Sequence, residues 1–219
     1  MRIHNFAEQN SLLNSFVHEI RSISIQQDSL RFRRNIERIG EILSYELSKT
    51  LQFASQDTTT PLGEKTTNLP NQDIVICSIL RAGLPLHQGV LNYFDQAESA
   101  FISAYRKHVQ DTDDFEIKVE YVACPSMENK TLILVDPMLA TGQSLALTYE
   151  ALLNNGIPKQ VHLISVIGSK QGVDFIQDKF PECTNLWIAD IDPKLNTKGY
   201  IVPGLGDAGD LAYGEKLQH

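Results

Sequence analysis

Short apolar runs alternate with helical stretches along most of the chain, and this alternation limits the fold more than any other feature. The runs are rich in β-branched residues and read IVICSIL (74–80), AFISAY (100–105), TLILV (131–135), VHLISVIG (161–168) and LWIADI (186–191). Between them, SLALTYEALLNNG, which ends at Gly156, and GVDFIQDKF have helical spacing. The pattern predicts an α/β fold with a mostly parallel sheet and helices on both faces. The 219 residues suffice for a single domain, 1–219.

Two amphipathic helices are expected within residues 1–51. Apolar side chains recur at helical spacing over 11–23 and again over 32–51, which predicts one helix in each segment. Asp28 precedes the second segment, and its carboxylate is predicted to accept hydrogen bonds from the free amides of the first turn. The N-terminal part of the domain is therefore predicted to be helical.

Two further segments depart from the alternation. Residues 52–73 are polar and rich in turn-forming residues, and they predict a long surface loop or an irregular hairpin. In FEIKVEYVAC (115–124), apolar residues occupy every second position, which is typical of a half-buried antiparallel strand. We therefore expect a β-ribbon over residues 107–130 that forms a flap or hood above the carboxyl edge of the sheet.

The composition restricts the possible partners and compartment. A formal net charge of -8 argues against nucleic acid, because binding a phosphate backbone requires a concentrated basic face. Cys77, Cys124 and Cys183 are far apart and form no C-x-x-C pair, so neither zinc nor a disulfide framework is expected. The sequence contains neither a secretory signal pattern nor an apolar run of about 20 residues that could span a membrane. We expect a soluble cytoplasmic protein with no membrane partner.

The stretch GYIVPGLGDAGDLAYG (199–214) contains the G-x-G-x-x-G spacing of a dinucleotide-binding turn. Such a turn needs a following helix, a second strand and an acidic residue about 20 positions later. Only ten residues follow Gly209, so a dinucleotide site is not expected. Two interpretations remain: a tight loop with glycines at positive φ, or a loop whose backbone closely approaches a ligand.

The strand-to-helix junction DPMLATGQS (136–144) carries a stronger chemical signal. The start of a helix leaves backbone amides without partners, and the helix dipole favours an anion such as phosphate there. Thr141 and Ser144 could donate hydrogen bonds to the same anion, Gly142 allows close approach, and Asp136 could accept hydrogen bonds from sugar hydroxyls. Alternatively, Thr141 or Ser144 caps the helix and Asp136 makes a turn. A P-loop, G-x-x-x-x-G-K-[ST], does not occur, so that route to nucleotide hydrolysis is not expected.

LILVDPMLATGQS (132–144) resembles the loop that binds 5-phosphoribosyl 1-diphosphate (PRPP) in type I phosphoribosyltransferases, in the form found in uracil phosphoribosyltransferases. It is joined, in the order of that family, by SILRAGL (78–84), AYR (104–106) and GYIVPGLGDAGD (199–210). TPLG (60–63) and FRRNIERIGEILSYEL (32–47) are similar to that family as well. The resemblance covers most of the chain from about Asp28 onward.

The resemblance implies a site for two substrates. PRPP would be bound by Arg81, Arg106, Asp136, Pro137, Met138, Leu139, Ala140, Thr141, Gly142, Gln143, Ser144 and Asp207. Uracil would be bound in the base-binding loop, 199–214, by Ile201, Gly206, Asp207 and Ala208, largely through the backbone. Arg106, Asp136 and Asp207 would be the catalytic residues. The guanidinium groups of Arg81 and Arg106 suit phosphate oxygens, although each could instead form a surface ion pair.

The implied reaction is pyrimidine salvage: uracil and PRPP give UMP and diphosphate, with inversion at the anomeric carbon. Mg²⁺ is the implied cofactor, held mainly through PRPP and water rather than by a dedicated protein site. The flap would exclude water, because hydrolysis of PRPP competes with transfer. The group that accepts the N1 proton of uracil stays open, since His87 and His108 lie near motifs but each could equally be an ordinary surface residue.

Two alternatives use the same scaffold. One is a regulator that senses nucleotides without turnover, which the presence of Arg81, Arg106 and Asp136 disfavours. The other is an enzyme for another nucleobase; orotate would need an additional cation near the base, and residues 201–211 contain none.

The sequence departs from the family pattern in three places. Gln143 replaces a second glycine, LPLH (84–87) follows ILRAGL, and RKHVQDTDD (106–114) lacks the more acidic stretch usual after the arginine. The apolar N-terminal helices predict a homodimer or a higher homo-oligomer. Some members of the family are activated by GTP, but the sequence indicates no effector site.

Overall fold

The computed structural model describes residues 1–108 and 115–216. The strands in chain order are β1 (Arg2–Asn5), β2 (Phe53–Thr60), β3 (Gly63–Pro70), β4 (Ile74–Leu80), β5 (Glu98–His108), β6 (Phe115–Ala123), β7 (Thr131–Val135), β8 (Met138–Leu139), β9 (Gln160–Ser169), β10 (Asn185–Asp192), β11 (Lys194–Leu195) and β12 (Ile201–Val202). The helices are α1 (Leu13–Arg21), α2 (Ser29–Ser48), α3 (Leu84–Leu91), α4 (Gln143–Leu152), α5 (Lys170–Gln177) and α6 (Ala208–Tyr213).

The main sheet has the order β1-β10-β9-β7-β4-β5-β6, and β8 also pairs with β9. Among the described residues, the β5–β6 pair is the only antiparallel pair of this sheet. The predicted α/β fold with a mostly parallel sheet is therefore confirmed, and each predicted apolar run forms a strand. The expectation that the N-terminus is helical throughout is wrong for Arg2–Asn5, which pairs with β10. Its four residues, RIHN, carry no apolar run that could have predicted this edge strand.

Helices cover both faces of the sheet, as predicted. Successive side chains of a strand point to opposite faces: Ile74 and Ile76 of β4 pack with residues of α1, α2 and α3. Val75 and Cys77 pack instead with residues of α4 and α5. Because both faces are occupied, a ligand must approach the sheet at the ends of its strands.

Both predicted N-terminal amphipathic helices are present. On α1, Leu13, Val17 and Ile20 are buried, and these positions lie on one face of a helix. The Asp28 carboxylate accepts a hydrogen bond from the backbone amide of Arg31 at 3.0 Å. The predicted N-cap of α2 is therefore confirmed.

Replacing Asp28 with alanine is expected to lower the free energy of unfolding by about 1 kcal/mol, because an amide in the first turn of α2 loses its acceptor. Urea denaturation measures the change. Asp28→Asn is the matched control, since asparagine is an equally good N-cap. Equal stability of Asp28→Ala and wild type would show that the cap contributes nothing.

Residues 52–73 form a hairpin rather than a loop. Strands β2 and β3 pair in continuous register from Phe53 opposite Pro70 to Thr60 opposite Gly63, so the hairpin alternative is confirmed, whereas the long loop and the irregularity expected of the hairpin are wrong. Side chains on both faces of this hairpin are exposed. Polar residues on both faces give no apolar alternation, and this is why the regular ladder could not be predicted.

The predicted antiparallel strand of the flap is confirmed as β6, which pairs with β5 across a bulge between Ser103 and Ala104. The expectation that one face of this strand is buried is wrong at Tyr121, which is 55% exposed. Residues 109–114 of the flap lie outside the described residues, as do the side chains of residues 104–119.

A buried histidine, His162, lies on β9 and contacts β10. The indole N–H of Trp187 donates to Nδ1 of His162 at 3.1 Å, and the His4 ring stacks on the Trp187 ring with 3.9 Å between the ring centroids. Burial, with a smaller contribution from His4, lowers the pKa of His162 from 6.5 to about 4. His162 is therefore neutral in the folded protein at neutral pH.

This histidine is expected to make stability fall with acidification between about pH 6.5 and pH 4. In that window the unfolded chain binds a proton at His162 that the folded chain does not, so the free energy of unfolding falls as pH falls, by up to roughly 3 kcal/mol. Urea denaturation at both ends of the window measures it, and His162→Gln should flatten the profile. Identical pH profiles for variant and wild type would remove His162 as the cause.

Candidate active site

The carboxyl ends of the parallel strands β4, β7 and β9 lie at one edge of the sheet, and the predicted site residues gather there. Arg81 directly follows β4, and Asp136 directly follows β7. The 199–214 loop reaches the same edge, because a Cβ atom placed on Gly209 would lie 3.9 Å from that of Ala82. The topology therefore brings the three predicted segments together.

The first half of the 136–144 loop is fixed to β9. The backbone oxygen of Asp136 accepts a hydrogen bond from the Ser165 hydroxyl at 2.7 Å. The backbone oxygen of Pro137 accepts the amides of Val166 and Ile167 at 3.2 and 3.0 Å. Met138 and Leu139, also predicted as PRPP contacts, form β8 beside β9. This half of the loop is thus held by the sheet itself.

The second half of the loop turns into α4. The backbone oxygen of Ala140 accepts the Ser169 hydroxyl at 2.6 Å, and Gly142, at φ 79°, is the N-cap of α4. Since glycine has no side chain, the N-cap residue itself offers no acceptor to the first amides of α4. The Thr141 hydroxyl accepts the Gln143 amide, but at 3.4 Å, so the capping alternative holds only as this long hydrogen bond.

A small cleft opens between this loop and the start of α4. It is lined by Asp136, Met138, Leu139, Ala140, Thr141, Gly142, Ser144 and Leu145. Asp136 is half-buried, and its Oδ1 accepts the Met138 amide at 3.4 Å. Gln143 is exposed. The cleft combines donors, which are the helix-start amides and two hydroxyls, with one acceptor, the carboxylate. This set of groups suits a phosphorylated sugar.

Arg81 joins the end of β4 to the 199–214 loop. Its Nη2 donates to Asp210 Oδ1 and to the backbone oxygen of Gly214, each at 3.1 Å. The alternative of an ion pair is thus realised, but within the predicted site rather than on a remote surface. Both side chains are substantially exposed, at 41% and 33%, so the pair is weak and the guanidinium remains accessible to an anion.

Arg106 lies within β5 rather than just after it, which corrects the predicted end of that strand. Ser103 pairs with Leu80, the last residue of β4, and β5 then continues past β4 through Arg106, which pairs with Ile117 of β6. Arg81 thus directly follows β4, whereas Arg106 lies in the neighbouring strand β5, beyond the point where its pairing with β4 ends. The side chain of Arg106 lies outside the described structure.

The 199–214 loop starts from the short antiparallel pair of β11 and β12. Gly204 and Gly206 have φ values of 60° and 97°, which confirms the expected positive-φ glycines. Ile201 and Ala208 are buried, whereas Gly206 is exposed. A six-residue helix, α6, follows.

Asp207 is held as a carboxylate. Its Oδ1 accepts the Asp210 amide at 3.0 Å and its Oδ2 accepts Nζ of Lys216 at 3.2 Å. Burial alone would raise the pKa of Asp207, but these hydrogen bonds and the charge of Lys216 outweigh it and lower the pKa. A permanently negative group therefore lies between two backbone positions predicted to contact the base.

His87 is not the surface residue that one alternative assumed. It is 5% exposed, and its ring packs against that of Phe101 with 5.0 Å between the ring centroids. Among the described residues, its Nε2 has no hydrogen-bond partner. Burial lowers the pKa of His87. The neutral ring is therefore part of the interior, where α3 packs against Phe101 of β5. The side chain of His108 lies outside the described structure.

The sequence did not indicate several residues that fix the 199–214 loop. Arg21 donates to the backbone oxygen of Gly204, Arg33 to that of Ala212, and Lys216 pairs with Asp207. Arg21 and Arg33 lie on N-terminal helices, more than 170 residues away in sequence, so no local pattern could link them to this loop.

The described residues, 1–108 and 115–216, contain no group of three or more histidine, cysteine or acidic side chains arranged for a metal ion. Among the helices of the same residues, none combines the length and apolar character needed to cross a membrane.

Comparison with known proteins identifies close relatives. A family model described as uracil phosphoribosyltransferase matches residues 7–215. A protein of that name from Porphyromonas gingivalis is 54% identical over 217 residues, covering 99% of this chain and 100% of the relative. One from Methanococcus vannielii is 39% identical, covering 89% of this chain and 84% of the relative.

Solved structures share the fold of this chain. A protein from Aquifex aeolicus superposes with a TM-score of 0.85 at 30% identity and covers 99% of this chain and 100% of its own. A hypoxanthine phosphoribosyltransferase from Staphylococcus aureus has a TM-score of 0.50 at 14% identity, with 85% and 84% covered. The latter likeness concerns the fold alone.

Proposed function

This chain belongs to the uracil phosphoribosyltransferase family, and we infer that it transfers the 5-phosphoribosyl group of PRPP to uracil, giving UMP and diphosphate. It is a pentosyl transferase of pyrimidine salvage. The observation that carries this conclusion is the family match over residues 7–215, which includes both the 136–144 and the 199–214 loops. Retention of the cleft and of the glycine loop at one sheet edge agrees with it.

We propose that the 136–144 loop binds the ribose 5-phosphate part of PRPP. The 5-phosphate would accept hydrogen bonds from the first amides of α4 and from the hydroxyls of Thr141 and Ser144. Asp136 would accept from the ribose hydroxyls. Support comes from the uncapped start of α4 at Gly142 and from the anchoring of the preceding backbone on β9.

The 199–214 loop is proposed to read uracil through its backbone. A pyrimidine presents alternating donors and acceptors at its edge, and the amide and carbonyl groups of Ile201, Gly206 and Ala208 can match them. A Cβ atom on Gly206 would meet nothing closer than 4.0 Å, so the loop has open space on that side in which a flat ring could lie.

Catalysis is proposed to rest on positioning and charge. Diphosphate leaves as the anomeric carbon acquires oxocarbenium character, so held substrates and fixed positive charge lower the barrier. Arg81 and Arg106 would bind the diphosphate. Mg²⁺ prefers oxygen ligands and retains waters, so it would be held mainly through PRPP and water, and the Asp136 and Asp207 carboxylates would contact PRPP rather than form a dedicated metal site. When bound, Mg²⁺ would supply further charge neutralisation on the diphosphate.

We further propose a cytoplasmic homodimer or higher homo-oligomer. The hairpin β2–β3 is exposed on both faces, and the N-terminal helical region exposes Leu12, Ile23 and Leu30 to 67%, 80% and 64%. A second copy of the chain would cover such a surface. Light scattering should give at least twice the monomer mass of 24.6 kDa. A monomer at assay concentration would refute the proposal.

GTP binding is a separate proposal, made for this chain only from the behaviour of the family. Initial rates with and without GTP test it. An unchanged rate, together with no heat of binding in calorimetry, would remove it.

The substrate assignment is tested by measuring diphosphate release from PRPP and Mg²⁺ with uracil, cytosine, hypoxanthine or orotate. We expect the highest kcat/KM with uracil. A higher kcat/KM with another base would instead identify that base as the substrate. No turnover with uracil, combined with tight binding of UMP or PRPP, would favour the nucleotide-sensing regulator.

A further inference from the structure

A buried charged cluster lies beside the 199–214 loop. Arg21, the last residue of α1, donates from Nη1 to Asp192 Oδ2 at 2.8 Å and from Nη2 to Asp192 Oδ1 at 3.1 Å. Nη2 also donates to Asp190 Oδ2 at 2.8 Å. The side chains of Arg21 and Asp192 are only 18% and 7% exposed. Two-point contact of a guanidinium with a carboxylate fixes the relative orientation of both groups.

The same two side chains hold both polar backbone groups of Gly204. Arg21 Nη1 donates to the Gly204 carbonyl at 2.9 Å, and the Gly204 amide donates to Asp192 Oδ2 at 3.1 Å. The amide and the carbonyl of Gly204 are thus both hydrogen-bonded to one two-point ion pair.

The backbone conformation of Gly204 determines the direction in which the loop continues. Its φ is 60°, and a Cβ atom there would lie 2.1 Å from the backbone oxygen of Ile201, so only glycine fits. Gly206 and Ala208 follow by two and four residues. A rotation at Gly204 would therefore be transmitted to both backbone groups that are proposed to read the base.

We propose that Arg21 and Asp192 are positioning residues for base recognition: they lock Gly204 so that the backbone of Gly206 and Ala208 meets the edge of uracil. The inference rests on the proposed function of the 199–214 loop. Neither residue touches a substrate in this proposal. Both act through the loop, and α1 thereby becomes part of the base site.

A positioning role has a kinetic signature that a purely structural role lacks. A displacement of about 1 Å in the backbone groups that contact the base can lower the catalytic efficiency by up to ~10²-fold. Here the loss is expected in the KM for uracil. A variant that only unfolds part of the sample lowers the apparent kcat but leaves the KM of the folded fraction unchanged. The two roles are therefore separated by the KM for uracil.

The test compares Arg21→Lys and Asp192→Asn with Arg31→Lys in the full-length protein. A lysine presents one ammonium group and cannot hold Asp190, Asp192 and Gly204 together. Arg31 also makes a two-point pair with α1, through Glu19 at 2.8 and 2.5 Å, but it does not contact the loop. Rates are measured where circular dichroism shows each variant to be folded.

We expect the KM for uracil to rise by about tenfold or more in Arg21→Lys and Asp192→Asn, with the KM for PRPP within about twofold of wild type. Preference for uracil over cytosine should fall in both variants, and Arg31→Lys should match wild type. An unchanged KM for uracil in folded Arg21→Lys, or equal rises in the two KM values, would overturn the inference. Absence of uracil turnover in the wild-type protein would instead refute the proposed function.

Discussion

Gly142→Ala is expected to lower kcat/KM for PRPP by about 10²-fold, because it distorts the backbone that receives the phosphate. Gly142 has a φ of 79°, and a Cβ atom would lie 2.7 Å from Ile176, 2.9 Å from Phe175 and 3.0 Å from the Gly172 oxygen. The start of α4 must then move away from α5. Steady-state kinetics with varied PRPP, and calorimetric binding of PRPP with Mg²⁺, measure the loss.

The same substitution should also cost about 1–3 kcal/mol of stability, since a non-glycine residue is strained at this φ. Gly156→Ala is the matched control at the other end of the α4 region. Its φ is 114°, and a Cβ atom would lie 2.7 Å from the Glu128 amide. The control should lose similar stability but keep the KM for PRPP. Equal effects of both variants on PRPP would contradict a phosphate site at Gly142.

Gly204→Ala is expected to raise the KM for uracil by about 10²-fold while calorimetric binding of PRPP is retained. The new methyl group would lie 2.1 Å from the Ile201 oxygen, far inside contact distance, so the loop must adopt another path. The two hydrogen bonds from Arg21 and to Asp192 would be lost with it. Uracil kinetics at saturating PRPP give the result.

The control for this variant is Gly63→Ala in the turn of the β2–β3 hairpin. Gly63 also has a positive φ, 154°, but a Cβ atom there would meet nothing within 4 Å. It should therefore leave the KM for uracil unchanged. If Gly204→Ala, shown to be folded, had a normal KM for uracil, the 199–214 loop would not be the base site.

Features with their own local period could be predicted from the sequence. The runs of β4, β7 and β9 are buried on both faces, so most of their side chains are apolar and the strands are visible as near-continuous apolar runs. The cap at Asp28 and the positive-φ glycines follow from local backbone chemistry. The strand-to-helix junction at Gly142 could also be located, because a turn of small residues separates the apolar run of β7 from the helical spacing of α4.

Contacts between distant parts of the chain could not be predicted. The Arg21–Asp192 pair joins residues 171 positions apart, and neither residue lies in a recognisable motif. The ladder of β2 and β3 is polar on both faces, so it lacked the alternation that indicates a strand. His87 follows a site motif, but its burial depends on packing against Phe101 of β5, which no local pattern reveals.

The central claim is that one site couples PRPP cleavage to base transfer. The direct measurement is a single-turnover reaction of the wild-type protein with PRPP, Mg²⁺ and labelled uracil, in which UMP and diphosphate are both quantified. We expect one UMP and one diphosphate for each PRPP consumed, and no diphosphate when uracil is left out. Diphosphate without UMP, or bound PRPP that yields neither product, would contradict the account.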